Sequence, residues 1–173
     1  MKTLIIIDMQ HDFIYGSLGN PDGVKIIPAV REKILKHDGP LIFTKDIHYQ
    51  DYFEHLEAQA VPMAHCINGT AGAEIVEELA DLTSLGIVLQ KSQYGYDGWG
   101  DFIIYDQIFS KTEEIELCGV CTDICVISNA LMLRSLYPEI PITVDASCCA
   151  GLTPEKHKAA LEVMKSCNIN VKE

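Results

Sequence analysis

Short apolar runs rich in β-branched residues alternate along the chain with longer amphipathic stretches. That alternation is the mark of a parallel sheet covered by helices on both faces. Strands are predicted at Thr3 to Asp8, Leu41 to Thr44, Gly86 to Gln90, Ile115 to Gly119, Ile142 to Asp145 and Asn168 to Val171. Each is brief and apolar enough to be buried on both faces. Helical spacing covers Val24 to His37, Ala73 to Ala80, Gly100 to Phe109, Asp123 to Leu136 and Pro154 to Cys167. The punctuation agrees: Gly39-Pro40 closes the first helix, Pro138 follows the fourth, and Thr153-Pro154 gives the last an N-cap and a first-turn proline. The expected fold class is α/β, a three-layer doubly wound fold with a six-stranded, mainly parallel sheet flanked by helices. No repeat, low-complexity tract or linker interrupts the pattern, so residues 1–173 are expected to form a single domain. Two connections are longer than such a fold requires, Lys45 to Thr70 and Lys91 to Gly98. Both follow the carboxyl ends of strands, where open α/β sheets place their ligand crevice.

Composition narrows the partners. With 48% hydrophobic and 22% charged residues the chain has an ordinary globular balance. Its 13 basic residues against 25 acidic ones leave a net charge of −12, which repels polyphosphate backbones and anionic membranes. Nucleic acid and membranes are therefore not expected partners. The apolar runs fall far short of the roughly 20 residues that span a bilayer, and the amino terminus lacks a signal-peptide layout. A cytoplasmic protein is expected. The cysteine count of seven is odd, which in a reducing compartment suits thiols, ligands or a nucleophile better than a disulfide framework.

Chemistry-bearing residues gather at the strand ends. Asp8 leaves the buried run Leu4 to Ile7 at its carboxyl edge, where burial would raise its pKa and suit it to be a base. Beginning a turn with Asp12 is its plainer use. Lys91 holds the matching place after the third strand and could supply a cation. The fourth strand runs into Cys118-Gly-Val-Cys121-Thr-Asp-Ile-Cys125. Cys125 then lies in the first turn of a helix, where unpaired amides and the dipole favour a thiolate. A small buried core thiol is the other reading. Cys118 and Cys121 form a CxxC pair, so a dithiol redox protein stands as an alternative from a different class. In the long loop, Asp46 and His48 are two apart on extended chain and point the same way. Together with Glu57 and His65 they would suit a divalent cation, and His55 or Cys66 could take a place in the set.

These residues resemble a known family. Asp8-Met-Gln-His-Asp12-Phe13, Phe43-Thr-Lys-Asp46-Ile-His48, His65-Cys-Ile-Asn-Gly69-Thr70, Lys91 and Gly119-Val-Cys121-Thr-Asp-Ile-Cys125-Val are similar, in order and over nearly the whole chain, to the isochorismatase-like cysteine hydrolase superfamily. The nicotinamidase/pyrazinamidase branch is the nearest in pattern. The resemblance implies a catalytic triad of Asp8, Lys91 and Cys125. It also implies a cis peptide between Val120 and Cys121, with the main-chain N–H groups of Cys121 and Cys125 forming an oxyanion hole. Phe13 matches an aromatic residue that stacks on a substrate ring. The metal set implied is Asp46, His48, Glu57 and His65, the third place varying in relatives between glutamate and histidine, so that His55 competes with Glu57. Zinc is the first expectation for the ion, with manganese or iron accepted by the same donors. Two departures stand out. Val61-Pro62-Met63 replaces a tryptophan expected before His65, and Ile124 replaces a histidine before the nucleophile. Tyr94, Tyr96 and Trp99 could supply replacement walls to the substrate pocket, or their loop could form a lid or a subunit contact, which leaves a homo-oligomer open. The expected activity is deamidation of a small carboxamide, nicotinamide first, through a thioester. Alternatives in the same superfamily are an isochorismatase-type reaction or hydrolysis of a carbamoyl or ureido amide.

Overall fold

The computed structural model describes residues 1–101 and 111–173. Six strands, β1 (Lys2–Ile7), β2 (Leu41–Asp46), β3 (Ile87–Lys91), β4 (Glu114–Val120), β5 (Ile142–Ala150) and β6 (Asn170–Lys172), form one sheet in the order β3-β2-β1-β4-β5-β6. Every pairing is parallel. The order reverses between β1 and β4, and a doubly wound sheet opens its ligand crevice at that switch point. Leu4 to Ile7 at the centre are fully buried, as a strand covered on both faces must be.

Among the described residues the α-helices are α1 (His11–Ile14), α2 (Pro21–Lys36), α3 (Glu57–Ala60), α4 (Glu77–Ala80), α5 (Ile127–Leu136) and α6 (Pro154–Ser166). Contacts join α2 to α4 and α5 to α6, one pair on each side of the sheet. α2 begins three residues earlier than the apolar periodicity predicts, because Asn20 caps it by accepting from the Asp22 N–H and Pro21 occupies its first turn. Its stripe of Ile26, Ile27, Val30 and Ile34 faces the core. Thr153 caps α6 in the same way, accepting from the Lys156 N–H.

Three predicted elements differ. The helix expected over Ala73 to Ala80 is broken, because Ile75 bridges to Gln10 and the Val76 N–H donates to the Met9 carbonyl, so tertiary pairing overrides helical spacing there. The helix expected from Asp123 opens as a π-helical turn, Thr122–Val126, before α5 begins. β5 runs five residues past its predicted end, with a register irregularity against β4 between Leu117 and Gly119. The helix expected over Gly100 to Phe109 falls largely outside the described residues.

One glycine is demanded by the switch point itself. Gly119 has a φ of 120°, and a Cβ there would lie 2.1 Å from the Ile7 carbonyl oxygen. Only glycine lets β4 approach β1 this closely, directly beside Asp8.

Candidate active site

Asp8 follows β1 with a φ of 47°, a left-handed conformation in which aspartate is tolerated better than most residues. Its side chain is wholly buried. Thr44 on β2 clasps it: the Thr44 hydroxyl donates to Oδ1 at 2.7 Å and accepts from the Asp8 N–H at 3.2 Å. Lys91, at the end of β3, places Nζ 2.6 Å from Asp8 Oδ2 and 3.7 Å from Cys125 Sγ. Thus the three residues set apart along the sequence meet in one buried cluster, with the ammonium between carboxylate and thiol.

The electrostatics follow from burial. Desolvation raises the Asp8 pKa, opposed by the charge of Lys91. Desolvation lowers that of Lys91, but the carboxylates of Asp8 and Asp46 outweigh it, and the net shift is upward. Burial pushes the Cys125 thiol well above its ordinary value even with Lys91 alongside. Burial thus works against the thiolate that the helix terminus and Lys91 are expected to favour. Cys125 is only 4% exposed within the π-helical turn, and desolvation dominates. Asp8 lies next to the thiol and is within reach as a proton acceptor.

The Val120–Cys121 peptide is cis, as the resemblance implies. Cys118 and Cys121 have different surroundings. Cys118 has Cys148, Cys149, Lys33 and Glu116 around it, whereas Cys121 has Asp123, Asp8 and Lys91. Both thiols are buried and free, and burial pushes that of Cys121 up to about 12.

Beside the triad, Asp46, His48, Glu57 and His65 bring four donor atoms within 4.8 Å of one another. His48 Nε2 lies 3.0 Å from Asp46 Oδ2 and 3.8 Å from Glu57 Oε1, while His65 Nε2 lies 3.6 Å and 3.7 Å from the same two oxygens. Bonds of about 2.0–2.2 Å to a tetrahedral zinc would set ligand-to-ligand edges of roughly 3.3–3.6 Å. The donor set fits such an ion in spacing and in kind. The His65 Nδ1–H donates to the Met63 carbonyl at 2.9 Å, which leaves the Nε2 lone pair facing the cluster. His55, by contrast, is 61% exposed in its side chain and pairs with Asp51.

Sequence reasoning passed over the residues that hold this cluster. Gln10 is fully buried; its Oε1 accepts from the Asp46 N–H and its Nε2 donates to the Asp46 carbonyl, both at 2.7 Å. The Asp12 carboxylate accepts from the Cys66 N–H at 2.8 Å and so fixes the chain beside His65. Tyr52 is 1% exposed and sets its ring edge-on to both imidazoles, at 5.0 and 5.2 Å. A glutamine in the Asp8-to-Asp12 turn and an aromatic residue inside a polar loop were the available signals.

Of the expected wall residues, Phe13 is nearly buried, its ring centre 5.5 Å from that of His65. Tyr94 is partly exposed and lines a groove of about 1100 Å³ that starts at His48 and Glu57 and runs along α5 past Ser128 and Met132. Trp99 is a correction: it is wholly buried, its indole N–H donating to Asn129 at 2.8 Å, so its ring supports the loop from behind.

The chain is similar to known proteins over nearly its whole length. The Isochorismatase domain family matches residues 2–172. The chain is 27% identical to the nicotinamidase/pyrazinamidase of Mycobacterium tuberculosis, over 99% of this chain and 98% of that one. It is 25% identical to the nicotinamidase of Saccharomyces cerevisiae, with 99% of each covered. A crystal structure of the pyrazinamidase of Pyrococcus horikoshii in complex with zinc superimposes with a TM-score of 0.84 at 28% identity, covering 99% of this chain and 98% of that one.

Proposed function

The chain belongs to the Isochorismatase domain family, and from that premise we propose that it is a cysteine amidohydrolase which converts a small neutral carboxamide, nicotinamide first, to the carboxylate and ammonia. The observation that carries the reading is the buried line Asp8, Lys91, Cys125, with contacts of 2.6 and 3.7 Å. Asp8 takes the proton of Cys125 as the sulfur attacks the amide carbon. The oxyanion forms against the main-chain N–H groups of Cys121 and Cys125. Asp8 then delivers the proton to departing ammonia, and serves again as base for the water that cleaves the thioester. Lys91 keeps Asp8 ionised between these transfers and balances the sulfur's charge.

Asp46, His48, Glu57 and His65 would hold one divalent cation, zinc first, with manganese or iron compatible. When bound it supplies a Lewis-acidic docking point for a ring nitrogen or a water. Phe13 and Tyr94 would bracket the substrate. The groove, which adjoins the triad and is not lined by it, carries Asp51, Glu57 and Asp97 with His48 and His55, and no lysine or arginine among the described residues. That lining favours a neutral amide over a dicarboxylate such as isochorismate. No helix of the described residues is long and apolar enough to cross a membrane. The nicotinamidase reading, taken by itself, implies a cytoplasmic enzyme of nicotinamide salvage.

Ammonia release from a panel of small amides, with metal content measured on the same preparation, tests this. Turnover of nicotinamide or a related heteroaromatic amide is expected. Metal-loaded protein that releases no ammonia from any member would overturn the amidohydrolase reading. Glu57→Ala should lose the ion and His55→Ala should keep it; the reverse would move the third ligand to His55.

A further inference from the structure

One side chain touching the nucleophile has no part in this chemistry. Asn129 lies on α5 four residues after Cys125 and is fully buried. A buried primary amide must spend two N–H donors and an acceptor oxygen inside the protein. Asn129 spends them all, on two pieces of chain. Its Nδ2 donates to the Cys125 carbonyl at 2.8 Å and to the Tyr94 carbonyl at 3.1 Å. Its Oδ1 accepts from the Tyr96 N–H at 2.9 Å and from the Trp99 indole N–H at 2.8 Å.

One of these four bonds goes to the main chain of the nucleophile, and three go to the loop that leaves Lys91. That loop carries Tyr94, Gly95 and Asp97 into the wall of the groove. Behind the wall, Tyr96 packs edge-on against Trp99, with ring centres 5.0 Å apart. Among residues of this size only asparagine offers two donors and an acceptor together. Serine has a single donor, and an ionised aspartate has none.

We propose that Asn129 is a positioning residue, a latch that sets the distance between the Tyr94 wall and the Cys125 thiol and thereby determines which amides are held for attack. Surface loops move unless something fixes them, and a displacement of about 1 Å at a reacting pair costs roughly 10²-fold in rate. The kinetic part rests on the amidohydrolase reading; the latch itself does not.

Two variants and one internal probe test it. Trp99 is the single tryptophan of the chain, so its fluorescence reports on the latched loop. In Asn129→Ser the loop is released, and acrylamide should quench Trp99 at least about three-fold more strongly than in the wild type. In Asn129→Asp the acceptor bonds survive but a carboxylate faces two carbonyls, and kcat/KM should fall by roughly 10²-fold. The decisive readout is coupling to the wall. Tyr94→Ala should cost about ten-fold in the wild type and less than about two-fold in Asn129→Asp, because the wall is already displaced. Penalties that multiply, or an Asn129→Asp enzyme within about three-fold of wild type, would overturn the proposal. Should Asn129→Ser fail to fold, the aspartate variant decides by the same cycle. Should the wild type turn over no amide, the amidohydrolase reading falls on its own, and unchanged quenching in folded Asn129→Ser would still overturn the latch.

Discussion

Two clusters of buried charge are built on the same sheet, and they differ in how fully their members are partnered. Away from the site, Lys33 on α2 pairs at 2.6 Å with both Glu116 of β4 and Asp145 of β5. Lys2 joins Glu116 at 3.1 Å, and Lys172 joins Asp145 at 3.3 Å. The Ser147 hydroxyl and N–H both donate to the remaining Asp145 oxygen. Each charge there has an opposite charge and a full set of donors. At the site, one ammonium, Lys91, serves Asp8 at 2.6 Å, Asp46 at 3.6 Å and the Cys125 thiol. Asp8 Oδ2 and Asp46 Oδ1 have no hydrogen-bond partner among the described residues beyond that ion pairing. Buried charge alone therefore does not mark a functional site. A surplus of buried acceptors over donors does, because such a site has standing demand for a proton, a cation or a substrate.

The largest expected effect lies at the under-partnered cluster. Cys125→Ala should abolish ammonia release while leaving the unfolding midpoint nearly unchanged, since a small buried thiol gives way to a methyl group. Cys121→Ala keeps its main-chain N–H and should retain activity within about ten-fold, against the roughly 10²–10³-fold expected for loss of an oxyanion donor. Steady-state kinetics on the two variants checks the contrast. Equal loss from both would show that the Cys121 side chain takes part in the chemistry.

What could be read from the sequence follows the same division. β1 announces itself because Leu4 to Ile7 is an unbroken apolar run, and the strand-end positions of Asp8, Asp46 and Lys91 follow once the strands are placed. Their motifs carry the proposed triad and the candidate metal ligands. The supports were not legible, because their partners are distant in sequence: Gln10 reaches Asp46, Thr44 reaches Asp8, and Asn129 reaches Tyr94. Nor could composition show that Trp99 would be buried or that desolvation would push the Cys125 thiol up, since both depend on what packs around them. Local spacing also failed where long-range pairing competed with it, as at Ile75 and Val76.

At the fully partnered cluster the comparison predicts a change in stability without a change in chemistry. Lys33→Met leaves Glu116 and Asp145 facing each other with weaker partners. Removing one member of a fully buried ion pair costs about 3–5 kcal/mol, and with Lys2 and Lys172 still in place and solvent nearby the loss here should be roughly 1–3 kcal/mol. Denaturant unfolding should show that loss as a lowered midpoint at unchanged slope, with kcat on the best amide equal to wild type. A fall in kcat at full stability would mean that this cluster reaches the site and would break the distinction.

The smallest effect is in acid. Burial raises the Asp145 pKa, but the hydrogen bonds from Lys33 and Ser147 overcome it and hold the group at about 2. Burial likewise works against Glu116, which Lys33 and Lys2 nevertheless hold below its ordinary value. A carboxylate depressed in the folded state contributes stability that is complete above its unfolded pKa, near 4, and is lost as pH falls through the folded value. The wild type should therefore lose stability between about pH 4 and pH 2, by roughly 1 kcal/mol from Asp145 once solvent screening is allowed for. Unfolding curves at pH 6, 4 and 2, chosen as rough brackets of that window, should be steeper in their pH dependence for wild type than for Asp145→Asn. The variant should start less stable at pH 6 and converge on the wild type at the acid end. Parallel curves across the whole range would mean that Asp145 is protonated alike in the folded and unfolded chains, and that its pairing with Lys33 contributes nothing that pH can remove.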